Sequence, residues 1–279
     1  MGAAMAARLR SAGAGVVVFN RTRSKADRVA TECGARVAAT AAEAAAAAPV
    51  VLVSLADDRA VNEAYRGEAG IAAGLATGTV VADTSTIDPR TVAEMAELLA
   101  GRGARLIDVP VSGSVPSVQQ GTLTVLAGGS AADLDLARPV LDVLARQIIH
   151  VGPSGSGAVM KLAVNSLVHA LNQALSEALV LAEKAGVDRG TAYDVIAASV
   201  VGAPFVQYKR SAFEHPDSTP VAFTLDLVGK DLALALALAE RVGAQLPQAE
   251  TNAQQVAAAV AAGFGQRDMS ALAERLRGA

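Results

Sequence analysis

Three residues carry the first sign of chemistry. Gly157, Lys161 and Asn165 stand at i, i+4 and i+8 in the stretch Gly152-Pro153-Ser154-Gly155-Ser156-Gly157-Ala158-Val159-Met160-Lys161-Leu162-Ala163-Val164-Asn165. In a helix that spacing puts them on one face. The face then carries a gap with no side chain, an amine and an amide, flanked by apolar Val164, Leu167, Val168, Leu171 and Leu175. A lysine held there is partly desolvated, which lowers an amine's pKa and suits it to proton transfer. On this stretch alone, an ordinary helix lysine reaching out to water is the more economical reading.

The elements around this stretch fall into two patterns. Ahead of it, strand and helix alternate. Residues 2–13 read as a helix ending at Gly13, and Val16-Val17-Val18-Phe19 as a short strand with Asn20-Arg21-Thr22 at its tip. Ser24 caps a helix that runs to Gly34. Val50-Val51-Leu52-Val53-Ser54 and Thr79-Val80-Val81-Ala82-Asp83 are continuous apolar runs, as expected of parallel strands covered on both faces. Further strands are read at Arg105–Asp108, Gly121–Ala127 and Gln147–Val151, with Val109–Ser114 and Val115–Val118 as loop. Such alternation implies a mainly parallel α/β sheet of Rossmann type. After Gly157 no convincing strand remains, and helices are read at 157–185, 189–199, 205–212, 222–243, 246–262 and 269–277. The expected organisation is an α/β domain over 1–152 and an all-α domain over 153–279.

Composition narrows the field. The chain has 279 residues, enough for two domains with a substantial core, and a formal net charge of −3. Its charges are mixed, with no basic tract or aromatic stacking set for nucleic acid. Cys33 is the lone cysteine, so no intrachain disulfide forms, and a cytoplasmic location is expected. The apolar run from Ala38 to Ala56 is interrupted by Glu43 and Pro49, which argues against a membrane span. His150 and His215 have no ligand spacing around them, so no metal site is expected. His169, one turn beyond Asn165, reads as a satisfied or solvent-edge histidine, too far along the helix to reach reacting atoms.

A dinucleotide-binding unit needs a first strand, then G-x-G-x-x-G, then a helix whose N-terminus receives the pyrophosphate. Here Met1-Gly2 leads straight into the helix. Either the natural start lies upstream, or this shorter chain is a compromised cofactor binder. The first is favoured, because a missing central strand would expose apolar edges. At the second strand's tip, Asn20-Arg21-Thr22 offers no carboxylate for an adenosine 2′-hydroxyl. A guanidinium and a hydroxyl suit a 2′-phosphate instead, so NADP(H) is favoured over NAD(H). A solvated surface arginine is the alternative for Arg21.

Taken together, the motifs resemble the β-hydroxyacid dehydrogenase family, in particular its 3-hydroxyisobutyrate dehydrogenase branch, across essentially the whole length. Met1 to Leu9 is similar to the second half of the family's G-x-G-x-M-G-x-x-M-A-x-x-L fingerprint, and Asn20-Arg21-Thr22 to the tip in NADP-using members. Asp83-Thr84-Ser85-Thr86 matches D-x-S-T, and Asp108-Val109-Pro110-Val111-Ser112-Gly113 followed by Gly121-Thr122-Leu123 matches the substrate loop. Gly152 to Asn165 matches the catalytic segment, and Lys230-Asp231-Leu232-Ala233-Leu234-Ala235 the K-D-L-x-L-A motif. Three departures stand out. The first strand and first two glycines are absent. Ser114 replaces the second glycine of S-G-G, at a cost if that position needs positive φ. Leu55-Ala56 replaces the usual L-P pair.

The resemblance implies hydride transfer between NADP(H) and a small 3-hydroxy acid, or its aldehyde or keto-acid counterpart, bound between the two domains. It implies that Lys161 is the general acid/base and that Asn165 orients it. Ser112, Gly113 and Ser114 would hold the substrate carboxylate. Gly2, Asn20, Arg21, Thr22, Leu55, Ala56, Thr86 and Lys230 would hold the cofactor, and the charge of Lys230 would help keep the Lys161 pKa low. Two other readings compete. An imine reductase on the same fold is disfavoured by Lys161, and a catalytically silent cofactor-binding or assembly protein by the retained Lys161, Asn165 and Ser112. The apolar, alanine-rich helical half leads us to expect a homodimer or homotetramer.

Overall fold

A computed structural model describes residues 1–278. The chain divides into two compact units, Met1–Lys161 and Leu162–Ala279. The first holds α1 (Gly2–Ser11), β1 (Val17–Val18), α2 (Arg23–Cys33), β2 (Arg36–Val37), α3 (Ala41–Ala45), β3 (Val50–Val53), α4 (Asp58–Tyr65), α5 (Ile71–Gly74), β4 (Val80–Asp83), α6 (Pro89–Ala100), β5 (Arg105–Asp108), β6 (Val111–Ser112), α7 (Val115–Gln120), β7 (Leu123–Gly128), α8 (Ala131–Leu144), β8 (Ala145–Gly152) and the start of α9 (Ser156–Lys184).

Strands β3, β4 and β5 are parallel neighbours, with Val50 opposite Val80 and Asp83 opposite Asp108. The apolar runs of β4 and β5 are buried on both faces, whereas Val50, Val51 and Leu52 of β3 are only partly buried. Val80, Ala82 and Ile107 pack on one side with Met5, Leu9, Val125 and Leu141, while Val81 and Leu106 pack on the other with Tyr65, Met95 and Leu99. The sheet is more mixed than the βα alternation implied. β7 runs antiparallel to β5 and β6 and parallel to β8. Hydrophobic runs report burial and not direction, so this turn-back was not readable. β1 and β2 form a separate two-stranded parallel sheet, and no strand among the described residues joins it to β3. Local chemistry fixes the helix starts: Asp88 accepts the Arg90 N–H at 2.8 Å ahead of Pro89, and Ser130 accepts that of Asp133 at 3.1 Å.

The second unit holds the rest of α9, then α10 (Arg189–Ala198), α11 (Pro204–Glu214), α12 (Leu225–Val242), α13 (Pro247–Ala259) and α14 (Ala271–Arg277), with a π turn over Val260–Phe264. Leu175, Leu179, Tyr193, Phe213, Leu232 and Val256 lie in its core. The helix read at 205–212 is α11, which contains Tyr208. Leu167, one of the apolar residues flanking the Lys161 face of α9, is 74% exposed. A buried ion pair joins α11 to the segment before α14: Lys209 Nζ lies 2.6 and 2.8 Å from the Asp268 carboxylate, which also accepts the Ala222 and Ser270 backbone N–H groups.

The buried carboxylates of the two units respond oppositely to acid. In the helical unit, burial pushes Asp268 up, but Lys209 and the backbone donors outweigh it, and Arg277 and Arg189 hold Glu183 down. Their stabilisation is present above about pH 4 and is lost as pH falls below it. In the α/β unit, burial dominates and raises Asp83 and Asp108. A raised acid favours the folded state while protonated, so this contribution fades as pH rises above about 4. The exposed Glu43 is lowered, but water screens it. We therefore expect acidification to pH 3 to open α11 and α14 before β4 and β5. Hydrogen exchange by mass spectrometry, corrected for intrinsic rates, reads the order; earlier opening of β4 and β5 would contradict it.

Candidate active site

The start of α9 is built around Asp108. Its carboxylate, at the end of β5 and almost fully buried, accepts the backbone N–H groups of Gly155 and Ala158, each at 2.8 Å. It thus satisfies donors that a helix N-terminus leaves unpaired, and its charge suits the positive end of the helix dipole. Gly157 lies in closest approach: a Cβ there would stand 2.5 Å from the carbonyl oxygens of both Asp108 and Leu126. One turn on, the Lys161 ammonium donates to the Val111 carbonyl at 2.8 Å, and Lys161 is half-buried. Val111 belongs to β6, so the lysine is tied to the strand that carries Ser112.

The segment after Ser112 contains the main local corrections. Gly113 has φ +134, and a Cβ would fall 2.8 Å from the Leu123 side chain, so glycine is required there. Ser114 has φ −119. It is extended backbone, and the strain anticipated for a serine at this position does not arise. Ser114 donates its N–H to Ser117 Oγ at 3.2 Å and starts α7, over residues expected to be loop.

Farther along α9, in the helical unit, Asn165 donates from Nδ2 to Asp231 Oδ2 at 2.5 Å. The Lys230 ammonium lies 2.9 Å from Asp231 Oδ1. Burial would push the Asp231 carboxyl up, but His169 and Lys230 outweigh it and hold it below the usual range. Thus Asp231, quoted in sequence only as the neighbour of Lys230, is the residue on which Asn165 and Lys230 converge. Its signal was the Lys-Asp pair itself, but the facing helix could not be read from it. His169 also corrects its expectation. It is neither satisfied nor at the solvent edge: it is 4% exposed, and neither ring nitrogen makes a hydrogen bond.

The cofactor candidates lie in the α/β unit, apart from Lys230. Helix α1 begins at Gly2, and its first intrahelical bond is donated by Met5 to Met1. The N–H groups of Gly2, Ala3 and Ala4 therefore lack helical acceptors, which fits a pyrophosphate at this end. Asn20 Oδ1 accepts the Thr22 N–H at 2.9 Å and shapes the tip after β1. Arg21 is largely exposed and pairs with Glu63 at 3.0 Å, and Glu63 also takes Arg59 at 3.1 Å. The Leu55 N–H is committed to Ser85 Oγ at 2.9 Å, Ala56 is exposed and Thr86 is half-buried. Beneath them, Tyr65 donates to Asp83 at 2.7 Å, and burial together with Asp83 keeps its phenol protonated. Among the described residues, no three His, Cys, Asp or Glu side chains gather as a metal site, and no helix is long and apolar enough to cross a membrane.

Residues 1–152 match the family model described as the NAD binding domain of 6-phosphogluconate dehydrogenase, and residues 155–276 match that for the NAD-binding region of NADP-dependent 3-hydroxyisobutyrate dehydrogenase. The chain belongs to the β-hydroxyacid dehydrogenase family. It is 33% identical to glyoxylate/succinic semialdehyde reductase 1 of Arabidopsis thaliana, over 99% of this chain and 95% of that one. It is 37% identical to 3-hydroxyisobutyrate dehydrogenase of Pseudomonas aeruginosa, over 88% and 85%. Among solved structures, 3-hydroxyisobutyrate dehydrogenase of Mycobacterium tuberculosis with L-serine superposes with a TM-score of 0.85, at 33% identity and 99% and 96% coverage. An imine reductase from Pseudomonas sp. shares the fold at 20% identity and a TM-score of 0.65. As a member of this family, the protein is a hydride-transferring, NAD(P)-dependent hydroxyacid dehydrogenase.

Proposed function

We propose that this β-hydroxyacid dehydrogenase interconverts a small 3-hydroxy acid and its aldehyde or keto-acid counterpart with NADP(H), using Lys161 as general acid/base. The observation that carries this reading is the bond from Lys161 Nζ to Val111 O, one residue before Ser112. A carbonyl only accepts, so this bond is donated by Lys161 and holds its amine beside the strand that carries Ser112. A nicotinamide held here would supply or receive the hydride. Lys161 gives a proton to the nascent alkoxide in reduction and takes the hydroxyl proton in oxidation. The Ser112 hydroxyl and the amides around Gly113 hold the carboxylate, with Ser114 beside them. Asn165 orients the lysine and the substrate. Lys230 covers the cofactor, although its own charge is met by Asp231. Gly2, Asn20, Thr22, Leu55, Ala56 and Thr86 complete the cofactor's surroundings. We place the protein in the cytoplasm and read it as a homodimer or homotetramer; the exposed Leu167, Leu181, Val195 and Val200 of the helical unit support the assembly.

The assay is NADPH oxidation with glyoxylate or succinic semialdehyde, and NADP+ reduction with 3-hydroxyisobutyrate. Turnover of at least one is expected, and turnover of none overturns the reading. The choice of cofactor has its own test. The Glu63 carboxylate occupies the Arg21 guanidinium that a 2′-phosphate would use, and so competes with it. Arg21→Ala should weaken NADPH binding about tenfold and leave NADH unchanged, while Glu63→Gln should tighten NADPH several-fold. Nicotinamide fluorescence titrations measure both; equal effects on the two cofactors would remove the NADP assignment.

A further inference from the structure

His169 has no place in the chemistry so far, yet its setting is unusual. It is 4% exposed, its ring lies 5.9 Å from that of Phe223 at a 32° tilt, and both nitrogens are without a hydrogen bond. Buried polar atoms are ordinarily paired, and a leucine or phenylalanine would fill the same space without orphaning two nitrogens. The nearest charged group is Asp231. His169 Nε2 lies 3.7 Å from Asp231 Oδ2, the same oxygen that accepts Asn165 Nδ2. Lys230 holds the other oxygen. Asn165 and His169 are one turn apart on α9, and Asp231, on α12, is 1% exposed.

The carboxylate is an acceptor only, and this fixes the groups around it. Asn165 must present its amide nitrogen to Asp231, so its carbonyl oxygen is turned away from that residue. His169 must carry its proton on Nε2 to engage the same oxygen. Oδ1 has the Lys230 ammonium as an ion-pair partner but makes no hydrogen bond, so the carboxylate can still swing about its own axis, and a second donor on Oδ2 stops the swing. The ring needs to approach by roughly 0.8 Å to reach hydrogen-bond distance.

We propose that His169 is a positioning residue for the reaction: its Nε2–H braces the Asp231 carboxylate, which fixes the Asn165 amide with its oxygen free as an acceptor on the Lys161 face of the helix. The inference rests on the reading of Lys161 and Asn165 given above. It separates His169 from a residue that only fills space, because a brace needs a donor at Nε2 and a filler does not.

The test compares His169→Leu, which has no donor, with His169→Gln, whose amide nitrogen reaches the Nε2 position. In His169→Leu, kcat with NADPH and succinic semialdehyde should fall about tenfold, with the KM for NADPH unchanged. The side-chain amide resonance of Asn165 should lose the downfield shift of a short bond to a carboxylate. In His169→Gln both should recover most of the wild-type value. The proposal is overturned if His169→Leu keeps the Asn165 resonance, or if a folded His169→Gln is as impaired as His169→Leu. Should His169→Leu fail to fold, the wild-type protein decides: a slowly exchanging Nε2–H on His169 that disappears in Asp231→Asn supports the brace, and its absence from the wild type refutes it. A shifted Asn165 resonance with unchanged kcat would uphold the brace and refute the catalytic reading of Asn165.

Discussion

Replacing Lys161 by alanine should lower kcat about a thousand-fold, within the range that a positioned general acid/base supplies. The affinity for NADPH should stay within about twofold. The asymmetry follows from the geometry. Lys161 is tied to Val111 in β6, whereas the candidate cofactor residues of the α/β unit stand at the start of α1 and at the ends of β1, β3 and β4. Removing the amine takes from the Val111 carbonyl the donor that Lys161 supplies, in the strand that carries Ser112. Single-turnover mixing of enzyme and NADPH with succinic semialdehyde would separate the chemical step from binding. Parallel losses in cofactor affinity and rate would mean that Lys161 holds the site together and does not act on the proton. Turnover near the wild-type rate would end the acid/base assignment.

The largest effect on stability is expected at Asp108. Asp108→Ala leaves the Gly155 and Ala158 N–H groups without their acceptor, in a place too tight for a side chain at Gly157. Each charge-assisted bond is worth about 1.5–3 kcal/mol, but part of that is offset because burial already disfavours the charged carboxyl. A net loss of about 3 kcal/mol is expected. Urea unfolding followed by circular dichroism would measure it. Asp108→Asn should recover part of the loss, since its amide oxygen still accepts one of the two N–H groups. A loss below about 1 kcal/mol for Asp108→Ala would show that the helix start is held by its close packing and not by the carboxylate. Because the displaced helix start also carries Lys161, activity should fall further than stability alone explains.

Much of this was readable in the chain because the signals were local. The i, i+4, i+8 spacing of Gly157, Lys161 and Asn165 needed only helical periodicity, and the apolar runs at Val50–Val53 and Val80–Asp83 needed only length and composition. Glycine and proline marked most boundaries to within a few residues. The same marks misled at Val115–Gln120, where Pro116 read as a loop residue but stands in the first turn of a helix. What remained hidden was the partner across space. Lys209 and Asp268 are 59 residues apart in the chain, and Asn165 and Asp231 are 66 apart. Nothing in the local pattern of α9 states which polar residue of α12 it meets. His169 looked ordinary because the sequence around it gives its helical phase but not what lies opposite.

The strand β3 has a consequence for handling the protein. Among the described residues it pairs with β4 alone, and three of its four residues, Val50, Val51 and Val53, are strong strand formers. An unpaired edge of this composition is a template on which another copy's extended segment can add. The formal net charge of −3 offers little long-range repulsion to keep copies apart, and that little is screened within about 10 Å at ordinary salt. Concentrated stocks should therefore be clearest at low ionic strength and several pH units above the sequence pI of about 5.7, where the chain's negative charge is largest.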